Sequence, residues 1–122
     1  MDALFHIVAR SDWRAAVARG SYRPPSLVHE GFVHCSFAGQ VVQVANARYR
    51  DTGDLCVVEL DPARLGAQVV VEDSYVSGTA YPHVYGPIPT DAAVAVHELT
   101  RSAEGGYRFT VPGAAGHASS DR

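Results

Sequence analysis

Histidine is the side chain in this sequence that is best suited to chemistry near neutral pH. An imidazole offers a hydrogen-bond donor, an acceptor and a proton that it can give or take. The chain has six histidines among 122 residues. His6, His34 and His83 stand in apolar, strand-like segments that are bordered by turn residues and aromatics. One such histidine is usually a hydrogen-bonded core residue, whereas three together predict a shared cleft for acid–base chemistry.

The residues next to His34 limit which side chains can act together with its imidazole. Ser36 lies two residues further on and shares its strand face, so it is the better partner for this imidazole. Cys35 points to the opposite face, which argues against a Cys–His nucleophile. A metal site of three histidines is chemically sensible, but no close spacing of histidines supports one, and we expect no metal. We interpret the remaining histidines as incidental: His29, His97 and His117.

Charge and composition exclude several classes of protein. All ten cationic residues are arginine, so Schiff-base chemistry, covalent pyridoxal phosphate and a P-loop lysine are impossible. The net charge is −3 and no basic cluster stands out, so we expect no nucleic-acid partner. The partner that the sequence favours is a small molecule.

Nothing in the sequence indicates a membrane or an export route. The longest apolar runs, at residues 69–71 and 92–96, are far too short to cross a bilayer. The N-terminus lacks the basic and apolar regions of a signal peptide. Cys35 and Cys56 are expected to be free thiols. We therefore expect a cytoplasmic protein.

The elements that must position these histidines form one domain, expected over residues 1–111 and followed by a disordered tail at 112–122. Ser11 is a plausible N-cap of a first helix that closes at Gly20, and Ser36 can cap a second helix from about Phe37 to Tyr49. Short strands outnumber the helices, which favours an α+β fold over a doubly wound parallel sheet.

Two further segments carry expectations. Residues 93–99 and 107–111 alternate well enough to form a hairpin across Glu104-Gly105-Gly106. Residues 73–82 are rich in small polar residues and lead directly into His83. We expect this segment to be a mobile loop that borders the cleft.

Several sequence blocks resemble one family. They are LFHI at 4–7, GSY at 20–22, EGFVHCS at 30–36 and PHVYGP at 82–87. In this order they closely resemble the family catalogued as domain of unknown function 952. The resemblance covers roughly residues 4–98, and the blocks around His34 and His83 are the most specific.

That family in turn looks like a distant member of the ADP-ribosyltransferase fold, which implies a small split β-sheet with two flanking helices and NAD as substrate. The resemblance places His6 on the NAD ribose, and it implies Phe5 and Tyr85 as further cofactor contacts. His34 and Ser36 would then orient the nicotinamide. His83 falls where the family has a glutamate; it could accept a proton, but it lacks the negative charge that stabilises an oxocarbenium-like ribose.

Three functions follow as hypotheses. The first is binding of NAD or a related nucleotide, with ADP-ribosyl transfer or NAD glycohydrolase activity. The second is an NAD-independent acid–base enzyme, an isomerase, hydrolase or lyase. The third is a non-catalytic ligand-binding module. The site hypothesis requires that the side chains of His6, His34 and His83 line one concave pocket.

Overall fold

The computed structural model describes residues 1–110. The tail expected at 112–122 lies outside the described residues. The helices are α1 Arg10–Arg19, α2 Ser26–His29 and α3 Val41–Arg48, and the 3-10 turns are Ala38–Gln40, Pro62–Arg64 and Thr90–Ala92. The strands are β1 Leu4–Ala9, β2 Ser21–Tyr22, β3 Val33–His34, β4 Leu55–Leu60, β5 Val69–Glu72, β6 Tyr81–Val84, β7 Ile88–Pro89, β8 Ala93–Glu98, β9 Thr100–Arg101 and β10 Tyr107–Arg108.

The strands form two three-stranded antiparallel sheets and two small ladders. The first sheet has the order β1-β4-β8 and the second β3-β6-β5, while β2 pairs with β7 and β9 with β10. Phe5 of β1 and Ser36, just after β3, exchange two backbone hydrogen bonds of 2.8 Å, which join the two sheets. The expectation of an α+β fold with short strands is confirmed, and the structure shows that the sheets are antiparallel.

Strand β1 has a core on each side, because successive side chains of a strand point to opposite faces. Val8 packs with Trp13 of α1 in one core cluster. Phe5 and Ile7 pack with Val41 of α3 in the other. The two longer helices thus flank the first sheet, as the sequence predicted.

Helix α1 starts at a different residue from the one that the sequence predicted. Helix α1 begins at Arg10, directly after β1, with Ala9 at the N-cap and no side-chain cap. The predicted cap at Ser11 is wrong because β1 runs straight into the helix, and the Arg10 N–H instead bonds the Asp54 carbonyl at 3.0 Å. The predicted end is correct: Gly20 has a φ of 81° and its N–H bonds the last turn.

Ser36 does not cap the helix predicted from about Phe37 to Tyr49, which corresponds to α3. A 3-10 turn precedes α3, and the Gln40 side chain accepts a hydrogen bond from the Phe37 N–H at 3.0 Å. The Ser36 backbone is engaged with Phe5 instead. The short helix α2 lies between β2 and β3.

The predicted hairpin has a different partner. Strand β10 pairs with the two-residue strand β9, whereas β8 pairs with β4 and forms the edge of the first sheet. In residues 1–110, no helix has the length and apolar content that crossing a membrane requires.

Candidate active site

His34 and His83 lie directly opposite each other on the antiparallel strands β3 and β6. Opposed residues of an antiparallel pair project from the same face of the sheet. Their ring centroids are 5.4 Å apart and the ring planes are inclined at 76°. The strand register therefore brings together two imidazoles that are far apart in sequence.

Both imidazoles line a cavity of about 250 Å³, and Ser36 lines it with them. Helix α3 contributes Val44 and Arg48, which lie one turn apart, to the lining of the cavity. Three tyrosines complete much of the lining: Tyr49, Tyr75 and Tyr81. The cavity is smaller than pockets that enclose a drug-sized ligand, so it suits a ligand of about one ring or one end of a larger molecule.

His83 is held from two sides. Its Nδ1–H donates to the Glu72 carboxylate at 2.8 Å, and the ring of Phe32 stacks on it at a centroid distance of 3.9 Å. The residue is 1% exposed. Its other nitrogen, Nε2, makes no hydrogen bond with any residue in the described range, so this nitrogen is available to a ligand.

His34 is held by a second carboxylate. Its Nε2–H donates to Glu30 at 2.7 Å, and the Tyr75 hydroxyl donates to the other Glu30 oxygen. Glu30 and His34 are joined by a turn in which Gly31 has a φ of 89°, a conformation that favours glycine. Nδ1 of His34 has no hydrogen-bond partner within residues 1–110.

Both carboxylates are stabilised in their charged form. Hydrogen bonds from Tyr75 and His34 lower the pKa of Glu30 below its ordinary value. Hydrogen bonds from Tyr85 and His83 do the same to the pKa of Glu72. Each glutamate is therefore ionised at neutral pH and acts as the acceptor that orients its imidazole.

The Ser36 side chain is 4% exposed and lines the cavity. Its hydroxyl makes no hydrogen bond to any side chain or backbone group of residues 1–110, although its backbone N–H and carbonyl are both bonded to Phe5. A buried hydroxyl without a partner costs free energy unless water or a ligand satisfies it. Ser36 is therefore placed to bond a molecule in the cavity.

His6 does not join this cavity. It is buried, its Nδ1–H donates to the His34 carbonyl at 2.6 Å, and its Nε2 accepts from the Tyr22 hydroxyl at 2.7 Å. Both nitrogens are thus used, which leaves none for a ribose. His6 projects from the face of β1 opposite to Ile7, which lines the cavity. The expectation that three histidines converge is wrong for His6.

The other two predicted cofactor contacts also lie elsewhere. Phe5 is buried in the core and packs edge-on against Phe109 at 5.6 Å. The Tyr85 hydroxyl donates to Glu72, so it supports His83 from outside the cavity wall. Of the six residues predicted for the site, the structure brings together His34, Ser36 and His83.

Cys35 is part of the cavity lining, but its side chain packs in the core cluster with Val8 and Trp13, and burial raises the pKa of its thiol to about 12. Such a thiol carries almost no thiolate at neutral pH and is a poor nucleophile. Cys35 and Cys56 are both free. Within residues 1–110, no three His, Cys, Asp or Glu side chains are grouped closely enough to hold a metal ion.

The segment between β5 and β6 borders the cavity, as expected from its sequence. Tyr75 and Ser77 line it, and the Tyr75 ring lies parallel to His34 at 6.0 Å. The Asp73 carboxylate accepts the backbone N–H groups of Ser77 and Gly78 at 2.8 and 2.7 Å, which shapes the turn. That this loop is mobile stays a prediction.

Sequence reasoning missed four residues of this arrangement: Glu30, Arg48, Glu72 and Tyr75. One signal was present for Glu72, because it directly follows the apolar run at residues 69–71, which could pair with the strand-like segment around His83. The observed register sets Val70 opposite His83 and Glu72 opposite Tyr81. Since residues two apart share a face, Glu72 lies on the face of His83.

The fold and the cavity define a class: a small α+β domain with two carboxylate-held histidines on one side of a split antiparallel sheet. The family model described as protein of unknown function (DUF952) matches residues 7–96. The chain belongs to this family.

The solved structures that the chain resembles are of protein CC0527 from Caulobacter crescentus. Its crystal structure is 25% identical with a TM-score of 0.77, over 88% of this chain and 94% of that one. Its solution NMR structure is 23% identical with a TM-score of 0.67, over 87% and 91% of the two chains. This likeness shows the fold. No curated protein matches the chain.

Proposed function

We propose that this protein is a small-molecule enzyme in which His83 acts as a general base on a ligand bound in the cavity. One observation carries the proposal: Glu72 holds Nδ1 of the buried His83, while Nε2 has no partner among residues 1–110. An acceptor on one ring nitrogen fixes the tautomer that carries its lone pair on the other. His83 is therefore prepared to accept a proton.

His34 supplies the second half of the chemistry. Its Nε2–H is bonded to Glu30, and its ring centre is 5.4 Å from that of His83. Two imidazoles at this spacing can contact different atoms of one small ligand. We assign to His34 the role of the general acid: in its imidazolium form it carries a second proton on Nδ1, which it gives to the ligand while His83 takes one. Isomerisation, hydrolysis and elimination all need such a pair.

Ser36 completes the proposed ligand contacts. Its buried hydroxyl has no protein partner within the described residues, and it can donate to a carbonyl or hydroxyl oxygen of the ligand. We assign Ser36 to orientation of the ligand.

A second candidate is the function that the family resemblance implies, binding of NAD with its nicotinamide ring in the cavity. The observation that favours it is a cavity of about one ring with tyrosines in its walls. In this candidate His6 supports the main chain of His34 through its carbonyl, and other residues contact the ribose.

The test follows ligand binding at the histidines. The full chain, labelled with ¹⁵N in its imidazoles, is titrated with NAD, ADP-ribose, nicotinamide and a panel of ring-sized metabolites. A ligand that binds as proposed shifts the signals of His34 and His83 and leaves that of His97 unchanged. NAD hydrolysis to nicotinamide is the first reaction to assay, followed by isomerase, hydrolase and lyase panels with any ligand that binds.

The matched variants are His83→Asn and His97→Gln. Asparagine at 83 keeps a donor for Glu72 but removes Nε2, so turnover falls sharply. Glutamine at 97 keeps a donor for Glu59, which His97 bonds at 2.7 Å outside the cavity lining, so turnover is retained. Equal turnover in both variants refutes the assignment of His83 as base.

A further inference from the structure

One residue of the cavity lining is a cation. Arg48 is the last residue of α3 and lines the cavity. Among residues 1–110 it is the only arginine in the lining, and no aspartate or glutamate of this range is part of that lining. The fixed charge on the cavity wall is therefore positive.

Arg48 is not neutralised by an ion pair. It forms no salt bridge with a carboxylate of residues 1–110, whereas Arg10 pairs with Asp54 and Glu98. Tyr75 links Glu30 to Arg48, because its hydroxyl donates to Glu30 and the Arg48 guanidinium lies over its ring. Both Glu30 oxygens already accept hydrogen bonds, one from His34 and one from Tyr75.

An aromatic ring fixes the position of this cation. The guanidinium carbon of Arg48 lies over the Tyr75 ring at 5.4 Å from its centroid, within the range of a cation–π contact. Tyr75 in turn stacks beside His34. The N–H groups of a guanidinium form a planar fork that can bind a carboxylate or phosphate with two hydrogen bonds.

We propose that the ligand of this cavity carries an anionic group, a phosphate or a carboxylate, that binds Arg48 while the remainder of the ligand extends toward His34 and His83. The proposal names the substrate class of the site described above, and it rests on the proposed function for the role of the histidines. A cationic ligand is disfavoured by the same charge.

The experiment compares probes that share a ring and differ in charge. Phenyl phosphate and benzoate are the anionic probes, and phenol and benzamide are their uncharged counterparts. Dissociation constants are measured on the full chain from the imidazole signals of His34 and His83. Both anionic probes test the shared chemistry; competition by inorganic phosphate or by acetate then separates a phosphate site from a carboxylate site.

We expect at least one anionic probe to bind about tenfold more tightly than its uncharged counterpart, a difference of the size of one charge-assisted hydrogen bond. Arg48→Gln should remove this preference. Arg14→Gln, an exposed arginine of α1 outside the cavity lining, removes the same charge elsewhere and should leave the preference intact. A retained fold is checked by the wild-type pattern of signals outside the cavity.

Equal binding of charged and uncharged probes overturns the proposal, as does a preference that survives in Arg48→Gln or a failure of both anionic probes to bind. These outcomes are separable from failure of the proposed function. Uncharged probes that shift His83 without an anion preference refute the Arg48 subsite alone. An Arg48-dependent preference combined with full turnover in His83→Asn refutes the base assignment alone.

Discussion

The two three-stranded sheets each carry two histidines among apolar neighbours, and they use them differently. In the first sheet, His6 has both ring nitrogens bonded to protein groups. In the second sheet, the equally buried His83 has only one nitrogen bonded within residues 1–110. Burial in a strand is common to both residues. What separates a structural histidine from a candidate catalytic one is the unused nitrogen beside a cavity.

Pairing of a histidine with a glutamate does not distinguish the two sheets either, because each sheet has such a pair. His97 and Glu59 of the first sheet are 2.7 Å apart, nearly the same as the 2.8 Å between His83 and Glu72 of the second. Yet His97 is packed beside Phe5 and Phe109 rather than on the cavity wall. This pair is therefore a natural control for the site.

The largest effect is expected when the unused nitrogen is removed. For a substrate found by the ligand panel, His83→Asn should lower turnover by about 10²–10⁴-fold, the usual contribution of a positioned acid or base. Steady-state kinetics on the full chain measure this loss. His97→Gln should stay within about threefold of wild type, since a surface-side pair away from the ligand contributes nothing that changes in the transition state. Comparable losses in both variants would erase the contrast between the sheets.

The next effect concerns stability and pH in the first sheet. Burial lowers the pKa of His6 from its usual 6.5 to about 4. As the pH falls below 6.5, the unfolded chain takes up a proton that the folded protein refuses until about pH 4. The stabilising effect of neutral His6 is thus complete above pH 6.5 and is lost on acidification to pH 4, by about 3 kcal/mol.

His6→Asn tests this linkage, because asparagine keeps a donor for the His34 carbonyl and does not titrate. Urea unfolding of both proteins between pH 7 and pH 4 gives the free energy of unfolding. We expect the wild type to lose about 3 kcal/mol more than the variant over this interval. Parallel pH profiles would mean that His6 has the same pKa in the folded and unfolded chain and that its role has been misassigned.

A smaller effect should follow from the carboxylate behind the base. Glu72→Gln removes the charge that orients His83 but preserves its size, and losing the outer partner of a functional imidazole typically lowers activity by about 10- to 100-fold. Turnover should therefore fall by about 10- to 100-fold. Glu59→Gln is the equivalent change beside His97 and should leave turnover near that of wild type. An unaffected Glu72→Gln would show that packing on Phe32 alone orients the imidazole.

The smallest effect is expected in the loop between β5 and β6 of the second sheet. Val76 is 91% exposed and has a φ of 53°, a conformation that is strained for a β-branched residue. Val76→Gly should raise the free energy of unfolding by about 0.5–1 kcal/mol. Val28→Gly, at an equally exposed valine in α2, should lower it by about 0.5–1 kcal/mol. Changes of the same sign at both positions would contradict the strain at Val76.

Much of the framework was determined by the sequence itself. Local signals such as the glycine at the end of α1 and the small polar residues between β5 and β6 act over a few residues, so they can be read without a tertiary context. The same local logic placed Ser36 on the face of His34, and both residues line the cavity. The α+β class followed from the number and order of the short strands.

Which face of β1 would meet the cavity was decided only by tertiary packing. Alternation shows that His6 and Ile7 point apart, but not that α3 and the cavity lie on the side of Ile7. The same holds for the carboxylates. Glu72 and Glu30 reach His83 and His34 through the register of β5 with β6 and through the turn at Gly31. These contacts depend on long-range pairing, whose geometry no local pattern encodes. The sequence by itself supplied the two imidazoles of His34 and His83. Only the fold bonded one ring nitrogen of each to a glutamate and left the other without a protein partner within residues 1–110.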